Sequence, residues 1–317
     1  MRAVWLKEFG GPEVLSVGDA PDPVAGPGQA LVEVAFANIT FVETQARSGA
    51  PGPFTLELPV IPGNGVGGVV RAVGEGVDAG LVGRRVISGM GGSGGYAELA
   101  AVDAAGLFEV PEALGLDEAV ALLADGRTAT MMARAVDPKP GERVLVEAAA
   151  GGVGTLLVQL AAAAGATVVA AAGGARKLDV ARGLGAHEAV DYTVPGWARE
   201  VDGVDVVLDG VGGEIGRAAF GLLRPGGRMV SFGLSSGEWA GISDEDAAGR
   251  GATIVRPGRP TPELMREYTE SALAEAAAGR LRPVIGQRFP LERADEAHRA
   301  METRATVGKT LLEVGRS

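Results

Sequence analysis

Residues 144–154 read Val144-Leu145-Val146-Glu147-Ala148-Ala149-Ala150-Gly151-Gly152-Val153-Gly154. A short Val-rich apolar run gives way to a turn of small residues, and residues 153–164 then carry helical spacing. The stretch is expected to pass from a buried strand through a tight turn into a helix. Small residues at 148, 151 and 154 let the backbone turn sharply, let a pyrophosphate approach the N–H groups of the helix N-terminus, and let the helix pack closely on the strand. The alternative is a tight turn that holds no ligand. A lone glycine triplet is weak evidence; the strand, turn and helix around it make the dinucleotide reading mechanically sensible.

The same rhythm continues downstream. After Pro140-Gly141, strands are expected at 143–147, 167–172, 188–192, 204–208 and 227–232, with helices at 153–164, 176–184 and 215–223. Parallel strands need helical crossovers, so this alternation specifies a doubly wound parallel sheet of the Rossmann type. Upstream, to about residue 122, the pieces are short and β-like with frequent Gly and Pro, at 3–6, 29–36, 67–73, 85–88 and 96–102. That text reads as a β domain. Helical periodicity covers 116–135, and after it the last part of the chain offers helices at 262–278 and 294–301 and extended segments at 282–290 and 309–314. These late strands have no partner in the alternating series, so the chain is expected to return and complete the first domain. The expected class is α/β, with residues 1–122 and 256–317 in one domain and residues 123–255 inserted as a nucleotide-binding domain.

Composition removes several functions. The 317 residues are 46% hydrophobic and 22% charged, which excludes disorder and is more chain than one core usually organises. No Cys occurs, so disulfides, thiolate nucleophiles, iron–sulfur clusters and every Cys-containing zinc site are excluded. His stands only at 187 and 298, too few for an all-His metal site. A net charge of -11 sets the overall field against a phosphate backbone, so no nucleic-acid partner is expected. The opening MRAVWLKEFG has no apolar run behind its charges, and the Ala- and Val-rich stretch at 155–172 is broken by Gln159 and Gly165. The expectation is a cytoplasmic chain with no membrane partner.

The choice of dinucleotide lies one strand beyond the turn. The motif itself offers Ala150, Gly151, Gly152 and Val153 to the pyrophosphate, with Gly173 and Gly174 at the end of the second strand. An NAD-selective site places Asp or Glu there to take the ribose hydroxyl. Here the text runs Gly173-Gly174-Ala175-Arg176-Lys177, with no acid before Asp179. A 2′-phosphate would meet two cations, so NADPH is the expected cofactor. The alternative for Lys177 is a solvated helix residue.

These features belong to a longer pattern. In order along the chain stand Arg47-Ser48-Gly49, Pro62-Gly63, Gly67-Gly68, Gly95-Tyr96-Ala97-Glu98, Gly126 with Thr128-Ala129, the 148–154 turn, Leu184-Gly185-Ala186, Asp209 with Val211-Gly212-Gly213, Pro225-Gly226-Gly227, Ser231-Phe232-Gly233, and Arg304 with Gly308-Lys309. Across nearly its whole length the sequence resembles the medium-chain dehydrogenase/reductase superfamily, and within it the zinc-free quinone oxidoreductase (zeta-crystallin-like) branch. The resemblance implies a GroES-like β domain and a Rossmann-type domain with the active cleft between them. It further implies that Lys177 and Tyr192 hold the adenosine 2′-phosphate, that Thr128, Phe232 and Gly233 lie beside the nicotinamide, and that Arg304 contacts the cofactor. Tyr192 reads alternatively as the end of a buried strand and Arg304 as a surface cation. A homodimer is implied too, with residues 251–255 as the edge strand that pairs between subunits.

Departures from the pattern fall where substrate would bind. Zinc-dependent relatives draw ligands from a Cys and a Gly-His-Glu segment, whereas this chain has no Cys and reads Pro62-Gly63-Asn64-Gly65; no metal is expected. In quinone reductases an Asn followed three residues later by Asp precedes the Arg-Ser-Gly, and those places hold Thr40 and Glu43, with Asn38 two residues early. Hydride transfer from a nicotinamide needs little beyond holding the reacting carbons together in a dry cleft. Thr40, Asn64 and Asp125 are the candidates for lining the pocket or donating a hydrogen bond in it. Their alternatives are strand filler, a turn residue and a polar helix end. Glu43 reads as an ion-pair partner of Arg47 or another interface charge. The leading expectation is an NADPH-dependent reductase of quinones. The runner-up reduces an activated C=C bond in an enoyl, enone or other α,β-unsaturated carbonyl, and a third reading is an NADPH-binding protein with little turnover.

Overall fold

The computed structural model describes residues 1–52 and 54–315, so Pro53 and residues 316–317 of the expected first domain lie outside the described residues. The chain opens with the antiparallel pair β1 (Arg2–Leu6) and β2 (Leu15–Asp19), followed by β3 (Gln29–Ile39), α1 (Phe41–Ser48), β4 (Gly65–Val73), β5 (Arg85–Gly89), β6 (Leu99–Asp103) and β7 (Phe108–Glu109). Helix α2 (Leu116–Val136) then leads into β8 (Arg143–Glu147), α3 (Gly152–Ala163), β9 (Thr167–Ala172), α4 (Ala175–Gly183), β10 (Glu188–Asp191), β11 (Val204–Asp209), α5 (Gly213–Phe220), β12 (Leu223–Ser231), α6 (Asp244–Arg250) and β13 (Thr253–Ile254). Helix α7 (Pro262–Ala277), β14 (Ile285–Pro290), α8 (Ala294–Glu302) and β15 (Lys309–Glu313) complete it.

Two compact units result: residues 1–124 with the chain from Leu273 onward, and residues 125–272. The expected return at residue 256 precedes α7, yet most of α7 belongs to the second unit. There Arg134 of α2 donates to Glu267 at 2.6 Å and lies over the Tyr268 ring.

The second unit holds a six-stranded parallel sheet in the order β10-β9-β8-β11-β12-β13. The centres of β8, β9 and β11 are buried on both faces, which is why 144–146, 168–172 and 206–208 are continuous apolar runs instead of alternating ones. Chain order reverses between β8 and β11. In an open α/β sheet that reversal leaves a crevice at the carboxyl ends of the two strands, where ligands bind.

The first unit is built around β3, which pairs with β15, β4 and β6. The sheet runs β14-β15-β3-β4-β5-β7, antiparallel except for β14 on β15. Val32, Val34 and Ile39 of β3 join Val66, Val70, Leu312 and the α8 residues Ala294 and Ala297 in one buried core. The late strands thus complete the sheet that β3 begins. Helix α1 is not anticipated in the sequence reading, although its start carries a recognisable signal. Thr40 is the N-cap, Glu43 three residues on returns to it, and Gly49 ends the helix at φ 81°. Among the described residues no helix is long and apolar enough to cross a membrane.

Candidate active site

At the end of β8 the backbone turns through Ala148, whose φ of 47° is left-handed, and Gly151 N–H closes the turn on the Ala148 carbonyl at 2.8 Å. Gly151 then caps α3 in an extended conformation. A Cβ at Gly154 would overlap the Ala148 carbonyl oxygen, so only glycine lets the helix come this close to the strand. The first N–H groups of α3 have no intrahelical acceptor. This cradle suits a pyrophosphate, the anion that a helix N-terminus stabilises. Asp125 modifies it: its buried carboxylate fills the space a Gly152 Cβ would need. Arg127, two residues along α2, has its pKa lowered by burial, against the attraction of Asp125.

One strand over, β9 ends in Gly173 and Gly174, the latter at φ 85°. Lys177 and Arg176 stand in the first turn of α4, Lys177 half-buried and Arg176 exposed, and the Tyr192 ring lies beside Gly173. Asp191 at the end of β10 accepts from Gly174 N–H at 2.9 Å and from the Thr193 hydroxyl, whose hydrogen bond leads in holding its pKa below the usual value. An acid therefore does sit near the end of the second strand. It arrives from the third strand, beyond the reach of spacing arguments.

The switch point is occupied by two carboxyl groups. Asp209, ending β11, accepts from the N–H groups of Val211 and Gly212 at 2.9 and 2.7 Å and from the Ser231 hydroxyl at 2.7 Å. Glu147, ending β8, is fully buried with no hydrogen-bond partner on either oxygen. Burial, then the neighbouring Asp209, pushes its pKa well above the usual carboxylate value, which favours the protonated form. Phe232 and Gly233 follow β12 here: Phe232 N–H donates to the Asp209 carbonyl at 2.8 Å, and a Gly233 Cβ would come within 2.7 Å of the Gly210 carbonyl oxygen. Thr128 lies half-buried on α2 in the same unit.

Thr40 and Asn64 belong to the first unit, where one carboxylate joins them. Glu43 Oε2 accepts from the Thr40 N–H at 2.6 Å and hydroxyl at 2.7 Å, and Glu43 Oε1 accepts from the Asn64 N–H and the Tyr96 hydroxyl, both at 3.0 Å. Gly63, at φ 121°, sets the Asn64 turn against Gly95, whose Cα would stand 2.6 Å from an added Cβ. Behind Tyr96 lies His298 of α8, its Nε2 3.0 Å from the phenol oxygen. Glu43 is therefore no ion-pair partner of Arg47, contrary to expectation: Arg47 bonds Glu302 of α8 instead, and both Glu43 oxygens are already engaged by Thr40, Asn64 and Tyr96. Thr40 likewise is a helix cap, not strand filler. Burial raises the Glu43 pKa, opposed by its Thr40 hydrogen bonds, the charge of Lys309 and the Tyr96 hydrogen bond. Asn38 lies fully buried on β3, its amide without hydrogen-bond partners. Arg304, the last of the expected cofactor contacts, is exposed in the first unit at φ 57°.

Of the expected substrate residues, then, Thr40 and Asn64 share Glu43, while Asp125 is placed at the α3 turn of the other unit. Glu43, Tyr96 and His298 emerge as a buried cluster that the sequence reading left unassembled. Neither imidazole is a ready metal ligand, since His187 Nδ1 accepts from Val168 N–H at 3.1 Å and His298 is enclosed beside Tyr96. With no Cys in the chain, the donor set does not fit zinc.

Comparison with known proteins gives two family matches: an alcohol dehydrogenase GroES-like domain over residues 26–112 and a zinc-binding dehydrogenase over residues 184–312. A quinone oxidoreductase of Pseudomonas aeruginosa is 33% identical, covering 98% of this chain and 99% of that protein. A 2-haloacrylate reductase of a Burkholderia species is 32% identical, covering 98% of each. The crystal structure of Escherichia coli quinone oxidoreductase complexed with NADPH matches 99% of this chain and 100% of its own, at 30% identity and a TM-score of 0.89.

Proposed function

The chain belongs to the medium-chain dehydrogenase/reductase superfamily, in its zinc-free quinone oxidoreductase branch, and on that premise we propose that it is an NADPH-dependent reductase that transfers hydride to a quinone. The observation that carries the proposal is the α3 cradle, where Gly154 leaves no room for a Cβ against the Ala148 carbonyl, in a chain whose full-length relatives include quinone reductases. Ala150 to Val153 would hold the pyrophosphate, Lys177, Tyr192, Gly173 and Gly174 the adenosine 2′-phosphate end, and Thr128, Phe232, Gly233 and Arg304 the remainder of the cofactor. NADPH, when bound, supplies the hydride. The chain's own task is to orient the acceptor, keep water away from it and offer a hydrogen bond to its oxygen. Thr40 and Asn64 are assigned to that task on their electrostatic setting, and Asp125, at the α3 turn, is assigned as a further hydrogen-bonding candidate in its own unit. Thr40 and Asn64 are backed by a buried Glu43, and no metal competes for the substrate oxygen. The same proposal carries a homodimer joined at β13 and a cytoplasmic location, where reduced cofactor is drawn from the cell's pool.

A second reading, reduction of an activated C=C bond in an α,β-unsaturated carbonyl, is favoured by the 2-haloacrylate reductase relative. Fluorescence titration with NADPH and NADH, on the wild type and on Lys177→Ala, tests the cofactor. A charge-assisted contact to phosphate is worth about 1.5–3 kcal/mol, so the variant should lose roughly 10- to 100-fold in NADPH affinity and none for NADH. Equal affinities for the two cofactors in the wild type would overturn it. Steady-state turnover on a quinone panel and an enone panel then separates the two readings.

A further inference from the structure

Behind Thr40 runs a chain of hydrogen bonds for which the pocket described above has no use. His298 Nε2 lies 3.0 Å from the Tyr96 hydroxyl, that hydroxyl 3.0 Å from Glu43 Oε1, and Glu43 Oε2 2.7 Å from Thr40 Oγ1. Tyr96, His298 and Glu43 are buried, and Thr40 alone is half-buried. The chain has a direction. His298 Nδ1 is unpaired in the interior, and an orphaned lone pair there is less costly than an orphaned N–H. The imidazole proton therefore sits on Nε2 and is donated to Tyr96, and Tyr96 in turn donates to Glu43 Oε1. Oε1 also accepts from Asn64 N–H. Oε2 likewise accepts twice, from the Thr40 N–H and the Thr40 hydroxyl. Of the four donors two are N–H groups and the Tyr96 hydroxyl is held by His298, so the Thr40 hydroxyl is the one that can turn to accept a carboxyl proton, carried on Oε2.

We propose that Glu43 stores one proton per turnover and passes it through the Thr40 hydroxyl to the oxyanion of the reduced substrate, with Tyr96 and His298 as positioning residues. The inference rests on the quinone-reductase reading. Hydride addition to a quinone leaves a phenolate oxygen one proton short of the hydroquinone. As the Thr40 O–H bond breaks, an O–H bond forms on the substrate. Thr40 Oγ1 takes the proton from Glu43 Oε2 in the same step, and Glu43 is left as carboxylate. A proton from water restores it through Thr40 once product has gone. No electrons move in this step, and charge is conserved at each transfer.

The surroundings of Glu43 are suited to such a store. Facing it or its partners are Thr40 and Arg47 of α1, the Asn64 turn, Tyr96 between β5 and β6, His298 and Glu302 of α8, and Lys309 of β15. Burial, the largest influence, favours its protonated form, against the Thr40 hydrogen bonds, the charge of Lys309 and the Tyr96 hydrogen bond, which favour the carboxylate. Tyr96 holds its own proton firmly: burial first, then Glu43, raise it well above the usual phenol value.

The test uses the full chain with Glu43→Gln, Thr40→Val and Thr40→Ser. General acid catalysis is typically worth 10²–10⁴-fold. kcat with a para-quinone should therefore fall about 100-fold in E43Q and T40V, with NADPH affinity unchanged, and T40S should recover most of the loss. The wild-type rate should decline on the alkaline side with a midpoint matching the loss of a protonated-carboxyl infrared band, recorded without NADPH and missing in E43Q. Unchanged kcat in either E43Q or T40V, or a carboxyl band that does not respond to E43Q, would overturn the relay while leaving quinone reduction in place. A wild type that turns over no quinone overturns the reading beneath it and the relay together. If E43Q does not fold, T40V and T40S decide the matter, because Thr40 is half-buried and needs no buried replacement.

Discussion

His298 offers a measurement of how far the interior of the first unit excludes charge. Burial, helped by the nearby Arg47, lowers its pKa from 6.5 to about 3. On unfolding the imidazole returns to its ordinary value. Between those values the unfolded chain binds a proton that the folded one refuses, so this contribution to stability is complete above pH 6.5 and is lost as the pH falls. Going from pH 7.5 to 5.5 costs the folded state about 1.4 kcal/mol on this account. The lower pH still lies above the sequence pI of 4.9, where the chain keeps a net negative charge. His298→Gln removes the titration and leaves an amide beside Tyr96. Urea unfolding of both proteins at the two pH values should show the wild type losing about 1.4 kcal/mol more than the variant, or roughly 3–6 °C in Tm. Parallel losses in the two proteins would refute a buried, uncharged imidazole.

Two further outcomes are expected. Burial raises the Glu147 pKa in the folded protein above its ordinary 4.5, so its stabilisation is present at acid pH and is lost as pH rises through the folded value. Glu147→Gln should therefore gain stability relative to wild type as the pH is raised from about 5.5 to 7.5 in urea unfolding; a pH-independent difference would overturn the raised carboxyl pKa. Strand β13 is the last of its sheet, and pairing through its edge should give twice the 32.0 kDa chain mass in light scattering at micromolar protein, whereas a mass of one chain excludes the pairing.

Physical reasons separate what is legible in the sequence from what is not. The buried centres of β8, β9 and β11, at 144–146, 168–172 and 206–208, consist of Val, Leu and Ala alone, and the glycines of the turn mark steric limits that survive any context. Helix α1 is short and its polar face dominates, so hydrophobic periodicity misses it, although the Thr40 to Glu43 spacing is a capping-box signature. The Glu43, Tyr96 and His298 cluster is of another kind. Its members stand 53 and 202 residues apart, and no local pattern records that they meet. Asp191 is hidden for the same reason: its carboxylate reaches Gly174 from 17 residues away, across a strand pairing.

Residues 36–39 of β3 need β15 beside them, and β15 is the last strand among the described residues. At a synthesis rate of about 5–20 residues per second, the stretch between Ile39 and Lys309 occupies a ribosome for roughly 15–55 s. The unit of residues 125–272 is continuous and can close its own sheet in that interval. The N-terminal strands meanwhile wait with residues 36–39 of β3 uncovered on the side that β15 will take, beyond the part that β6 already pairs, open to the matching strand of a neighbouring nascent chain. Yield at high expression is then governed by crowding on the polysome, before the stability of the finished protein has any say.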